Sequence, residues 1–519
     1  MTVRFVVAAI AGLLIAFSAH AQSTIRAAMH ADLKILDPIW APSQINRTHG
    51  YMVYDTLFGL DDRLMPQPQM VGRWTVDAAR LVYTFELRDG LAWHDGAPVT
   101  AEDCIASLKR WGSRDGMGQK LLAHVKELSA PDARTIRLEL NSPYGLVLEA
   151  LAKPAGAVPF MMPRRIADTP ANQQITEPIG SGPFIFKSDE WRPGEKVVYV
   201  RNSKYVPRAE PPRNFAGGKV VRIDQVEWPA IGDPQTAIAA LEANEVDAVE
   251  AVSHDLLPLV EKKKGIVVER NAYPAQFVLR PNWLQPPFDD PRMRLALGYA
   301  IDQKEYLMAA IGDPNFWRVC KAYYGCGTPF ASDAGLTWLL DGNVARAREL
   351  VKEAGYDGRP VVLLTVVDIG MLAKLGAVAK AQLEQIGLKV DLRPADSQTH
   401  LSRLIRRETI DNGGWNLTLL STSVIDVSSP VTSLFLDTSC GKAPPGWPCD
   451  AKIEELRDAF ARQTDPARQR QIAEEIQVRA AQIGTHYPLG EWFGASAVSA
   501  STKGWLRPPS TSVFWNVER

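Results

Sequence analysis

The sequence predicts an α/β protein of two or three domains, on three observations. The chain has 519 residues, more than one hydrophobic core serves. Its composition, 46% hydrophobic and 23% charged, is that of an ordinary globular protein. Strand-like and helix-like patterns alternate along it, the order that places helices on sheets.

The first element is a leader. In MTVRFVVAAIAGLLIAFSAHAQ, Arg4 supplies the positive end, Phe5 to Phe17 the apolar stretch, and Ala19-His20-Ala21 the cleavage site. The apolar run is too short to span a bilayer, so an exported chain starting at Gln22 is expected. No Cys lies near that site, so a lipid anchor is not expected. With 58 basic and 59 acidic residues the net charge is −1, and charge runs are short. That argues against nucleic acid and anionic membranes as partners.

The strands come next. Val82 to Arg88 and Thr135 to Leu140 alternate apolar and polar residues with period two. Val197 to Val200 and Val220 to Val226 are expected strands. Asp233-Pro234 and Asp290-Pro291 each open a helix, with Asp as cap and Pro in the first turn. Beyond residue 344 a helix closed by Gly355, the strand PVVLLTVV, a helix ending at Gly387 and the strand LKVDLRP follow one another. Two helices are expected near 451–462 and 466–483.

Five Cys remain in a chain bound for an oxidising compartment. The close pairs predict disulfides Cys320–Cys326 and Cys440–Cys449. Cys104 is left as a buried thiol on a helix. The spacing does not match paired zinc knuckles, and no metal site is expected.

The stretch LRDGLAWHDGAPVTAEDCIASLKRW, Leu87 to Trp111, gathers His, Asp and Glu and could pass for a reactive centre. Each polar residue has a structural task instead. Asp89-Gly90 and Asp95-Gly96 are turn dipeptides flanking a short return strand, Leu91 to His94. Thr100 and Asp103 form a capping box, and Glu102 suits the positive end of the helix.

This stretch also resembles the signature of family 5 extracellular solute-binding proteins, the dipeptide- and oligopeptide-binding receptors of ABC importers. LDPIWAPS at 36–43, YDTLF at 54–58, IGSGPFIF at 179–186, RNSKY at 201–205, AIAALEANEVDAVEAV at 237–252 and PFDDPRMRLALGYAIDQKEYL at 287–307 resemble further family blocks, in the family's order. The resemblance implies a periplasmic-binding-protein type II-like fold, two lobes with a hinge and an extra subdomain. Lobe I would comprise 22–57, 176–281 and 490–519, the subdomain 58–175, and lobe II 282–489. The chain would cross between lobes near Asn282 and return near Gly490.

It further implies a periplasmic receptor that hands a short peptide or peptide-like solute to inner-membrane permease subunits. A monomer without cofactor is expected. In peptide-binding relatives an aromatic followed by D-x-x-D-P anchors the ligand's amino group. The matching stretch is WNLTLLSTSVIDVSSPVTSLF, with Trp415 as the aromatic and Asp426 on the first acidic position. A carboxylate at a lobe interface suits an ammonium group. Two departures stand out: Ser429 replaces the second acid, and Thr422 and Ser423 stand where a Trp is usual. They leave open an opine, a sugar-linked compound or a modified peptide, and a metal chelate or haem are further alternatives. Ile39 and Trp40 in LDPIWAPS, and Trp283, are placed at the lobe faces as pocket wall. Arg403, Arg406 and Arg407 lie near the anchor stretch but read equally as a solvated helix face.

An exported enzyme is the rival class. Ser439 and Lys442 have S-x-x-K spacing without the S-D-N and K-T-G partners, and no G-x-S-x-G, zinc-hydrolase histidine pair or P-loop is present. No catalytic residue is assigned. A receptor that signals instead of feeding transport would read alike.

Overall fold

The computed structural model describes residues 23–509 and 511–519. The expected leader, 1–21, lies outside the described residues. Two large sheets organise the chain. The first has seven strands in the spatial order Ile266–Arg270, Ala495–Ser499, Ala248–Val252, Thr24–Ala28, Gln225–Pro229, Lys196–Arg201, Phe184–Phe186. Thr24–Ala28 runs parallel to both neighbours. The carboxyl ends of these three strands therefore open on one edge, where ligands of open α/β sheets bind.

The second sheet has six strands: Trp317–Arg318, Tyr487–Trp492, Ala275–Pro281, Leu417–Ser423, Val361–Val366, Val390–Ala395. VVLLTV, buried at every position, runs parallel to both neighbours, as a strand covered on both faces must. A third, antiparallel sheet of four strands, Val71–Val76, Val82–Leu87, Thr135–Leu140 and Val125–Asp132, lies within residues 58–175.

The strand pairings show which sheet each segment joins near the expected crossings. Ala275–Pro281 pairs with Leu417–Ser423 and Tyr487–Trp492, so it belongs to the second sheet. Gly490 lies inside Tyr487–Trp492, likewise in the second sheet. The connections are thus residues 271–274, ahead of Asn282, and Phe493-Gly494, after Gly490. Local pattern marks these segments as strands but carries no information on which sheet they join.

Helix positions follow the sequence closely. Thr100 and Asp103 form the capping box: Asp103 N donates to Thr100 Oγ1 at 3.3 Å and Thr100 N to Asp103 Oδ2 at 2.9 Å. Ala101–Arg114 then buries Cys104, Ile105, Leu108 and Trp111 against the third sheet. Asp233 and Asp290 cap Pro234–Glu242 and Pro291–Ala300. The two late helices are Ala451–Arg462 and Pro466–Ile483.

Two local expectations change. Leu91 to His94 forms only an isolated bridge, Ala92 to Pro98, where Pro98 has no N–H to give to a ladder. The strand expected at Val220 to Val226 is instead Gln225–Pro229. The Val220 carbonyl is taken by Asn516 N at 2.6 Å, so the C-terminal segment occupies that backbone. The paired cysteines lie together: Cys320 with Cys326 at Cα–Cα 5.8 Å and Cys440 with Cys449 at 4.0 Å. Cys104 is a buried free thiol, held neutral by burial.

Candidate functional site

Between the two large sheets lies a cavity of about 1020 Å³. Its first wall is the carboxyl edge of the seven-stranded sheet. Ala28 ends the central strand with Met29 and His30 after it, and Glu250 to Val252 end its neighbour with Ser253 and His254 after it. The opposite wall comes from the six-stranded sheet: Ser421, Thr422, Ser423 and Asp426, with Ile369 and Lys374 from the helix Gly370–Gln385. Both connections contribute, through Asn271, Tyr273, Trp492 and Gly494. The C-terminal segment roofs the remainder with Trp505, Arg507 and Phe514.

Trp492 is held as a flat wall. Its ring stacks on Phe277 at 5.7 Å between centroids, and its Nε1 donates to Ser421 Oγ at 3.0 Å. An oriented indole gives apolar area at little entropic cost.

The charges of the cavity divide into satisfied and unsatisfied groups. Glu250 is satisfied: His30 Nδ1 lies 2.5 Å from Oε2, and Ser512 Oγ donates to Oε1 at 2.7 Å. Burial pushes the Glu250 carboxyl up, but the His30 bond and charge overcome it and hold it below its ordinary value. Burial likewise lowers His30, and Glu250 more than reverses this, so its pKa is raised. Lys374 Nζ pairs with Asp255 Oδ1 at 3.1 Å, joining one wall to the other.

Asp426 differs. Ser423 caps the short helix Val424–Val427 through the Ile425 amide, which aims Asp426 into the cavity. Its neighbours Val424 and Ile425 are buried, fixing the helix. The side chain is exposed within the cavity, but the surrounding walls still desolvate it enough to hold the carboxyl above its ordinary value, and the charges of Arg47 and Lys153 pull it partly back. A ligand cation placed there would relieve that desolvation.

Of the expected site residues, the cavity brings together Asp426, Thr422 and Ser423. Four others stand elsewhere. Trp415 is fully buried, packed with Trp447, Val362 and Leu364, and its Nε1 donates to the Leu404 carbonyl. Ile39 is buried core. Trp40 lies beneath Arg114, 4.4 Å from guanidinium to ring, in a turn whose amides donate to Asp37. Trp283 carries Arg294 at 3.6 Å and donates to the Gly484 carbonyl. Trp492, Trp505, Arg507, Glu250 and His30 were not foreseen. The one available signal was Glu250, an acid inside the otherwise apolar strand AVEAV.

Among the described residues one group could offer three metal ligands, Cys320, Cys326 and Glu491. The two sulfurs are joined to each other, and Glu491 accepts from Arg318 Nε and Cys326 N at 2.6 and 2.8 Å. Its lone pairs are spent on fixing that loop.

Comparison with known proteins fits this geometry. The family described as bacterial extracellular solute-binding proteins, family 5 Middle, matches residues 65–444. The chain belongs to family 5 of the solute-binding proteins. It is 37% identical over 503 residues to the probable peptide ABC transporter periplasmic-binding protein y4tO of Sinorhizobium fredii, covering 96% of this chain and 94% of that one. CtaP, an ABC transporter substrate-binding protein of Listeria monocytogenes, superposes with a TM-score of 0.82 at 22% identity, over 96% and 99% of the two chains. AgaA from A. tumefacien R10, solved with agropinic acid, does so at 0.74 and 21%, over 95% and 98%. As a family 5 protein the chain is the solute-binding component of an ABC importer, and the cavity between its lobes is where such a protein holds its solute. No helix among the described residues is long and apolar enough to cross a membrane.

Proposed function

We propose that this family 5 protein captures short peptides or peptide-like solutes in the periplasm and delivers them to the permease subunits of its importer. Asp426 carries the reading. It is exposed to the cavity, desolvation by the surrounding walls raises its carboxyl, and no hydrogen bond engages it among the described residues. An ammonium group of the solute is the complementary charge. The relative y4tO, described as a probable peptide transporter component, supports a peptide over other amines. The protein acts by differential affinity and performs no covalent chemistry: solute bound between the lobes favours their closed arrangement. In this reading the chain is exported by its leader, is cleaved before Gln22, and works as a monomer with both cysteine pairs oxidised.

A second reading keeps the fold and changes the solute. Ser429 removes one acid, and AgaA shows that this fold can hold agropinic acid. Native mass spectrometry of protein purified from periplasm without denaturation separates the two. Mass excesses that match di- to pentapeptides, lost in Asp426→Asn, are the expected result. One discrete non-peptide mass would overturn the peptide reading.

A further inference from the structure

We propose that Gly145 is a latch of the closed arrangement, a residue that sets solute affinity without touching the solute. The proposal rests on closure between the two sides of the cavity, not on which solute fills it.

Gly145 lies outside the cavity, where the turn before the helix Val147–Leu151 meets the end of the helix Ala451–Arg462. The meeting is close. Gly145 N donates to the Ala461 carbonyl at 2.7 Å. A Cβ at this position would stand 1.7 Å from the Gln463 carbonyl oxygen, 2.8 Å from its carbon and 3.0 Å from Gln469 Nε2. These three nearest atoms all belong to the side of the second sheet. The φ of Gly145 lies outside the left-handed region, so its own backbone does not call for glycine. The approach of the other side does. Gly180 and Gly182, equally crowded, press instead on Val53 within their own side.

Both partners are held firmly. On one side Tyr144 and Leu146 are buried, and His124 stacks on Tyr144 at 4.8 Å between centroids. Gly116–His124 packs in turn on Ala101–Arg114, whose Arg110 lies 2.6 Å from buried Asp37, ahead of the helix Gln44–Val53. On the other side Gln463 Oε1 accepts from Thr464 N and Asp465 N at 2.9 Å each, and Gln469 Nε2 donates to the Gln463 carbonyl at 2.9 Å. Those two amides are thereby taken, and the Ala461 carbonyl, at a helix end, has no intrahelical donor. Gly145 supplies it. Pro466–Ile483 then leads into Tyr487–Trp492, so this receiving surface moves with the second sheet. Among the described residues, this is the one backbone-to-backbone bond between the two sides that does not involve the connections 271–274 and 493–494. Rotation about those connections would part its ends. A contact made only on closure raises the closed fraction, and with it the affinity for every solute by one common factor.

The first test needs no solute. Full-length mature protein is stripped of bound solute by partial unfolding in guanidinium, returned to buffer, and followed by hydrogen exchange resolved to single residues by fragmentation mass spectrometry. The Gly145 amide should be protected at least about 10-fold less than that of Ala150, which donates to the Leu146 carbonyl on its own side. Equal protection would make the contact permanent packing and overturn the latch. The second test is Gly145→Ala. Its solute-free melting temperature should match wild type, because the added methyl meets nothing when the sides are apart. Trialanine and tetraalanine, titrated calorimetrically, should both bind about 10- to 100-fold more weakly, by the same factor, and leave faster. A lowered solute-free melting temperature, unchanged affinities, or factors that differ between the two peptides would each overturn the latch. Wild type that binds neither peptide removes the peptide reading of the solute, and hydrogen exchange then decides the latch alone.

Discussion

Gly325→Ala should damage both stability and binding. Gly325 sits in the loop closed by Cys320 and Cys326 with φ of +79°, where a side chain is strained. An added Cβ would stand 1.8 Å from Val424 Cγ2. The loop cannot retreat, because Tyr323 and Tyr324 beside it are fully buried. Their hydroxyls donate to His486 and Ala473 carbonyls at 2.8 Å each. Val424, stiff and buried, must move instead, and it opens the helix that carries Asp426. The left-handed backbone costs roughly 1 kcal/mol and the overpacking roughly 1–3 kcal/mol, so a loss of about 2–4 kcal/mol is expected. Urea unfolding measures it, and a peptide titration on the folded protein should show weaker binding as Asp426 is displaced. A loss under about 0.5 kcal/mol with unchanged affinity would refute the packing argument, since that is the range of neutral surface changes.

Three other expectations concern charge. If Asp426 holds an ammonium, its raised carboxyl must ionise to bind, so affinity should fall as pH drops through that raised pKa, by up to about tenfold per pH unit; calorimetry at stepped pH should show this slope in wild type, and the same slope in Asp426→Asn would count against it. Asp37→Ala strands the buried Arg110, whose Nη2 lies 2.6 Å from Asp37, and should cost about 3–5 kcal/mol in urea unfolding; a loss below about 1 kcal/mol would show that Arg110 finds other support. His30, raised by Glu250, contributes stability that is present below its unfolded pKa and lost as pH rises through the raised folded one. Melting temperatures across about pH 5 to 8 should fall through that window in wild type and stay flat in His30→Gln, and parallel curves would deny the pair this role.

What the sequence disclosed follows from how local each signal is. Helix caps are local, so Thr100, Asp233 and Asp290 announced their helices, and Gly355 and Gly387 their ends. That Thr422, Ser423 and Asp426 lie together on the cavity was legible because one short run carries both the strand end at Ser423 and the capped helix turn with Asp426. Tryptophans were not legible. Trp415 and Trp492 both end or adjoin strands of the second sheet, yet one is core and the other wall, and only the packing around each decides it. Arg507 was hidden for a similar reason: it lies in a segment without regular structure, and its partner Glu269 is remote in sequence. Which sheet AQFVLRP joins was not legible, because its pattern satisfies either sheet equally well.

The arrangement of contacts across the cavity bears on why a solute should control closure. Lys374 and Asp255 join the lobes, but both are exposed, and such pairs contribute only about 0–1 kcal/mol. Gly145 N donates to the Ala461 carbonyl at 2.7 Å between subdomain and lobe II, a bond worth about 0.5–1.5 kcal/mol. Ala155 meets Val424 and Ile425 in a small apolar cluster. Moving an equilibrium from mostly open to mostly closed takes about 5.5 kcal/mol. A solute that contacts both walls of the cavity can supply that difference, because both sets of contacts exist together only when the walls meet. Loss of the contacts to one wall should then reduce closure more than it reduces encounter, and in kinetic terms it should act on the dissociation rate.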